Sequence, residues 1–241
     1  MMRELYTSAI AEDSAGLIEG GVRSVAKMNC DRVARVYHAL EYLSFGGALQ
    51  ACRVMYLREI AHCRRALLCG DGDGRFLAEL LRVNRDVCVD CVDLSAGMID
   101  VARRRVHAVD SEAMQRTRFH VGDVRDFESS AGSQYDLISA HFFLDCFDDG
   151  EAASVAGRLA SFARTGATLV LSDFRIPARG VAHYIDAAIV RGLYAAFRLT
   201  TGLRVTRLPN YEDALERAGF RKERETLKLG GLLAASLWQK T

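Results

Sequence analysis

An α/β fold with a doubly wound, Rossmann-like sheet is predicted by three observations. Short apolar runs alternate with helical patterns from residue 65 to residue 172. The first of these runs stops at three alternating glycines, and a helical pattern starts directly after them. The chain then closes on two strand-like runs separated by Gly230-Gly231, a hairpin signal. Alternation of this length places helices on both faces of a parallel sheet. A terminal hairpin adds an antiparallel edge that the all-parallel dinucleotide fold lacks.

Taken in order, residues 29–63 read as helices. Val33, Val36, Tyr37, Leu40 and Leu43 form one stripe before Gly46-Gly47, and Leu49, Cys52, Val54, Met55, Leu57 and Ile60 form a second after it. Strands are expected at 65–69, 87–92, 117–121, 135–140 and 167–172, with helices at 75–82, 96–108 and 149–164. Pro177 to Leu208 is an insertion in which Val181, Ile185, Ala188, Ile189, Gly192, Ala196 and Leu199 recur at helical spacing. A helix over 210–218, opened by Asn210 and closed by Gly219, leads into strand-like segments at 220–229 and 232–238.

Composition narrows the classes. With 241 residues, half of them hydrophobic, the chain is one large domain or one domain with a cap. A net charge of +1 gives no general pull toward nucleic acid or anionic membrane. No apolar run reaches the roughly eighteen residues that span a bilayer. The charged residues Arg3, Glu4, Glu12, Asp13 and Glu19 exclude a signal peptide over 1–21, so a soluble cytoplasmic protein is expected. Seven scattered cysteines argue against a disulfide framework. Cys88-Val-Asp-Cys91 falls in a strand, where residues three apart face opposite ways, so no metal site is expected there.

The chemistry gathers at the ends of the strands. Gly70, Gly72 and Gly74 read G-x-G-x-G, and Arg75 stands where the third glycine of a dinucleotide fingerprint belongs. Asp71 and Asp73 in this turn suit a ligand with an ammonium and a sulfonium better than a diphosphate. Asp93 follows the second strand about twenty residues on, where a carboxylate can accept from a ribose diol, and Ser95 caps the next helix. Gly122-Asp123-Val124 closes the third strand; Asp123 can accept from an adenine amine, with Val124 against the ring. The fourth strand runs into Ala140-His141-Phe142-Phe143-Leu144-Asp145-Cys146-Phe147.

In order and spacing these residues resemble the class I S-adenosylmethionine (SAM)-dependent methyltransferases, over roughly residues 30–240. The resemblance implies a seven-stranded sheet with its last strand antiparallel. It implies an N-terminal helical cap (1–63) and a SAM-binding domain (64–241), whose insertion near 177–208 is a substrate lid. It also implies methionine-arm contacts at Gly70 to Gly74, ribose at Asp93, adenine packing near Leu94 and Met98, the adenine amine at Asp123, and His141 near the methyl. The segments Tyr37…Ser44-Phe45-Gly46 and Leu208-Pro209-Asn210-Tyr211…Ala218-Gly219-Phe220 resemble more particularly the quinone-biosynthesis and small-molecule C- or O-methyltransferases; Tyr37 and Arg53 are then cofactor contacts from the cap. One departure is Leu68, where the family often has an acid; either Asp71 or Asp73 takes over the ammonium contact or the site is weakened.

The expected activity is methyl transfer from SAM, leaving S-adenosylhomocysteine (SAH), to a small hydrophobic or aromatic O-, C- or N-acceptor. His141 is the first candidate base because histidine titrates near neutrality, followed by His183 and Tyr184 of the lid and by Asp145. Arg175, Arg179, Arg191, Arg198, Arg204 and Arg207 make the insertion basic, a solvated face or one that steers a carboxylated substrate or touches a membrane surface. The expected partner is a small molecule, with no nucleic acid, no stable membrane insertion, and a monomer or homodimer. A non-catalytic SAM-binding protein and a dinucleotide-dependent oxidoreductase are the alternatives. No N/D-P-P-Y/F motif follows strand four, which disfavours a nucleic-acid methyltransferase.

Overall fold

The computed structural model describes residues 47–129, 134–175 and 208–241. In chain order these form α1 (Ala48–Arg53), β1 (Arg65–Cys69), α2 (Arg75–Val83), β2 (Cys88–Asp93), α3 (Ala96–Val109), β3 (Thr117–Val121), β4 (Tyr135–His141), α4 (Asp149–Phe162), β5 (Ala163–Phe174), α5 (Tyr211–Arg217), β6 (Phe220–Lys228) and β7 (Leu233–Lys240). The strands make one seven-stranded sheet in the order β3-β2-β1-β4-β5-β7-β6. All neighbours from β3 to β5 are parallel, and β7 runs antiparallel to both β5 and β6. That is the predicted doubly wound sheet with a hairpin edge.

Alternating side chains divide the core between the two faces. Ala66, Leu68, Val89, Cys91 and Leu137 pack toward α1, α2 and α3 with Tyr56, Phe76 and Leu80. Leu67, Cys69, Val92, Ile138 and Ala140 pack toward α4 and α5 with Leu159, Leu215 and Trp238. Helix starts follow their capping residues. Ser95 accepts from the Met98 N–H, Asp148 and Glu151 form a reciprocal capping box, and Asn210 accepts from the Asp213 N–H.

Two expectations need correction. Helix α1 stops at Arg53, and residues 54–63 continue as successive three-residue turns, such as Leu57 N–H to Val54 O and Cys63 N–H to Ile60 O. The apolar stripe there is real, because Cys52, Tyr56, Ile60 and Cys63 are all buried, but a tighter winding carries it. Strand β5 begins earlier than expected, at Ala163. Its pairing with β4 is irregular until Leu137 meets Thr168, and Gly166 within that stretch has a positive φ. Tyr37 of the cap and the insertion up to residue 207, with His183 and Tyr184, lie outside the described residues.

Candidate functional site

The carboxyl edge of the parallel strands carries the glycine turn, Asp93, Asp123 and His141, while Arg53 comes from the end of α1. The turn after β1 needs its glycines for two different reasons. Gly70 has φ +65°, and a Cβ on it would lie 2.4 Å from the Phe143 ring. Gly74 has φ +77°, and a Cβ there would lie 2.8 Å from the Ala102 Cβ and 2.9 Å from its Cα, so this glycine lets α2 and α3 pack closely.

The two acids of the turn have different tasks. Asp73 is held from two sides, by Arg75 Nε at 3.1 Å and by Arg105 Nη2 at 2.6 Å, and its backbone oxygen accepts from Arg105 Nε. Asp71 is buried, and its Oδ2 accepts from the Leu77 N–H at 3.0 Å. Its Oδ1 has no partner among the described residues. Burial pushes the Asp71 carboxyl up to about 7, against the Leu77 hydrogen bond and the nearby Arg53 charge. Leu68, at the position where an acid was absent, is fully buried in the core of the α1–α3 face.

Asp93 accepts from the Gly72 N–H at 3.0 Å and from the Ser95 N–H at 2.9 Å, which ties the glycine turn to the start of α3. Burial raises its carboxyl above the ordinary range, and the two N–H groups oppose the rise. Beside it Leu94 is 52% exposed and Val121, its neighbour across β2 and β3, is 55% exposed. Met98 lies alongside, its Sδ 4.0 Å from the Cβ position of Gly72. Val124 is buried in the core against the α4 face, so the apolar ledge at this edge is built from Leu94 and Val121. Val121 was missed because a valine at a strand end reads as core. The Gly122 N–H donates to the Asp93 carbonyl. Asp123 accepts from the Arg125 N–H, Nε and Nη2. Burial works against its ionisation, yet these bonds hold its carboxyl below the usual range.

The end of β4 is strained. Phe142 has φ +53°, rare for an aromatic residue, and donates its N–H to the Ser172 carbonyl. His141 Nδ1 lies 3.0 Å from Ser172 Oγ, Phe76 packs edge-on to the ring at 4.5 Å, and Nε2 has no partner among the described residues. Burial, with the Arg53 charge second, lowers this imidazole to about 3. His141 therefore stays neutral and is a poor proton acceptor, contrary to its place as first candidate base. Arg53 lies over the Phe142 ring at 5.0 Å and acts electrostatically on both Asp71 and His141.

A second pair of acids went largely unread in the sequence. Asp145 follows β4 and Asp173 lies near the end of β5; both are buried. Asp173 Oδ1 accepts from the Phe174 N–H at 2.8 Å, and its Oδ2 has no donor among the described residues. The two carboxyls lie near enough to act on each other's ionisation. Burial raises both, Asp145 to about 6 and Asp173 further, because the neighbouring carboxylate adds to it. Tyr211 is buried beside them and its phenol is raised by burial and by the same charges. Asp145 was a minor candidate; Asp173 lay inside an apolar strand run and gave no signal.

Comparison with known proteins adds to this geometry. Residues 67–169 match the family model described as a methyltransferase domain. An 83-residue stretch is 39% identical to polyamine aminopropyltransferase 2 of Bacillus anthracis, and it covers 33% of this chain and 23% of that protein. The chain thus matches less than a quarter of the length of its curated relatives. Among solved structures, an O-methyltransferase family protein from Burkholderia thailandensis superposes with a TM-score of 0.67 at 20% identity, over 86% of this chain and 59% of that one. An O-methyltransferase from neocarzinostatin biosynthesis, solved with S-adenosylmethionine and 2-hydroxy-5-methyl naphthoic acid, gives 0.60 at 18% identity, over 87% and 57%. The N,N-8-amino-8-demethyl-D-riboflavin dimethyltransferase of Streptomyces davawensis gives 0.60 at 20% identity, over 86% and 58%. At these identities the likeness is one of fold.

Proposed function

We propose, with residues 67–169 as a methyltransferase domain of the class I SAM-dependent fold, that this protein transfers a methyl group from SAM to a small acceptor, apolar or aromatic in body. The observation that carries the reading is the turn from Gly70 to Gly74. It joins an acid free to take an ammonium, Asp71, to an acid at the ribose position, Asp93. The described residues fit the cofactor. Asp71 offers an unpartnered carboxylate oxygen, Asp93 a carboxylate at the end of β2, Leu94 and Val121 an apolar ledge for the purine, and Asp123 an acceptor beyond it. When bound, SAM supplies an electrophilic methyl group on a positively charged sulfur. The protein's share is to align, desolvate and accept a proton.

Neutral His141 is suited to packing and to a hydrogen bond through Nε2, and the proton of an O–H or N–H acceptor goes instead to the Asp145–Asp173 pair. A carboxylate raised toward neutrality is a better base than an ordinary one. The expected result is that Asp145→Asn keeps SAM affinity and loses turnover by about 10²- to 10⁴-fold. It would be measured with radiolabelled SAM on an acceptor found by screening phenols and amines. The deciding binding test is isothermal titration with SAM and, separately, with NADH. SAM binding that Asp93→Ala removes supports the reading. NADH binding without SAM binding overturns it in favour of an oxidoreductase.

The stretch shared with polyamine aminopropyltransferase 2 favours a second reading, aminopropyl transfer to an amine. The two readings need donors with different arms, since an aminopropyl group carries an amine and no carboxylate.

A further inference from the structure

Helices α1, α2 and α3 enclose a feature that methyl transfer leaves unused. They form a cavity of about 210 Å³ whose wall is Gln50 of α1, Arg75, Ala78, Glu79 and Arg82 of α2, and Arg105 of α3. No strand end contributes to this wall. A single water needs only about 10–15 Å³, so a tetrahedral ion fits with its hydration. The wall is rich in donors and poor in acceptors. Spacings of four and three put Arg75, Glu79 and Arg82 on one face of α2, and Arg105 joins them from α3. Three guanidiniums bring about fifteen N–H donors, whereas one carboxylate offers about four lone-pair sites. Glu79 pairs with Arg82, and Asp73 is shared by Arg75 and Arg105, so three cations answer to two anions. Arg75 is also the first residue of α2, where the helix dipole favours an anion and the first turn supplies none. The Gln50 amide oxygen is buried with no donor among the described residues, a costly state that a ligand hydroxyl would relieve.

We propose that this cavity is a phosphate-binding site. Arg75, Arg82 and Arg105 hold the charged oxygens, and Gln50 accepts from a hydroxyl, either the one that phosphate keeps at neutral pH or one on an esterified group. Planar guanidiniums suit the paired oxygens of a phosphate better than a point charge does. The site stands whether or not the protein binds SAM. It adjoins the glycine turn through Asp73, which both Arg75 and Arg105 hold.

The test is isothermal titration of the full chain with inorganic phosphate and, separately, with glycerol phosphate, at an ionic strength held constant with chloride. Saturable binding is expected, and it should persist when SAH is present in excess. Arg82→Gln should weaken it by about 10-fold or more, the range for a charge-assisted contact. Glu79→Gln removes the acid from the wall and releases Arg82, so it should tighten binding by about 3- to 10-fold, a gain that misfolding cannot mimic. Arg217→Gln takes the same charge from the exposed face of α5 and should change nothing. Tighter binding of glycerol phosphate assigns the site to a phosphorylated ligand, and tighter binding of inorganic phosphate to the free ion; either order upholds it. The proposal is overturned by no saturable binding of either probe, by weaker binding in Glu79→Gln, by equal losses in Arg82→Gln and Arg217→Gln, or by displacement with SAH.

Discussion

The two edges of the parallel sheet use the same residue types to opposite ends. At the amino edge, Asp136 accepts from the N–H groups of Arg64 and Arg65, and Asn84 donates to the Cys63 carbonyl while accepting from the N–H groups of Asp86 and Val87. Those side chains stitch loops to strands. At the carboxyl edge, Asp71, His141 and Asp173 are buried and each keeps one polar atom without a partner among the described residues. Their proton affinities are displaced by burial, upward for the acids and downward for the histidine. Polar groups that only support a fold find partners within it. The carboxyl edge holds its groups ready for something that is not part of the chain.

Several substitutions would break or sharpen this contrast. The largest effect is expected from Gly74→Ala. Gly74 belongs to the carboxyl edge, but its task is packing, so the cost should fall on stability, by about 2–4 kcal/mol in urea unfolding, through a strained φ and a clash with Ala102. At the amino edge, Asp136→Ala should cost about 1–3 kcal/mol, because two strand-start N–H groups lose their acceptor. No change in ligand affinity should accompany it.

Smaller effects involve pH. Asp71 is pushed up to about 7, and only its ionised form holds an ammonium. SAH affinity should therefore rise by up to about an order of magnitude from pH 6 to pH 8, and Asp71→Asn should flatten the profile. The smallest expected effect is on thermal stability. The folded-state affinities of Asp145 and Asp173 for protons lie above the ordinary carboxylate range. Their contribution is therefore intact near pH 4 and declines as pH rises through about 6, the value for Asp145. Asp173→Asn should raise the Tm at pH 8, by about 2–4 °C for each kcal/mol relieved, and leave it unchanged near pH 4. A fall in Tm at pH 8 would place the pair among the structural acids of the other edge.

Much of the contrast could be read before the fold was known, because some residue types leave few options. Three glycines in alternation demand positive φ, and the strands and helices flanking them fall within a residue or two of the expected limits. Asp93 and Ser95 occupy their expected places because helix starts obey local rules. Long-range facts were not legible. Whether Asp71 or Asp73 was free depended on Arg105, which reaches the turn from α3. Histidine chemistry favoured His141 as base, but burial beside Phe76 and the charge of Arg53 set its proton affinity, and neither has a sequence signature. Asp173 pairs with Asp145 only because adjacent parallel strands end side by side.

Arg53 depends on the far end of the chain. Three residues beyond it, the Tyr56 hydroxyl meets Thr226 Oγ1 of β6 at 3.0 Å, and Glu59 pairs with Arg224. The segment that carries the guanidinium is thus moored to the terminal hairpin. Its anchors lie on β6, about 165 to 170 residues further along the chain, so a change in the hairpin reaches the neighbourhood of the glycine turn.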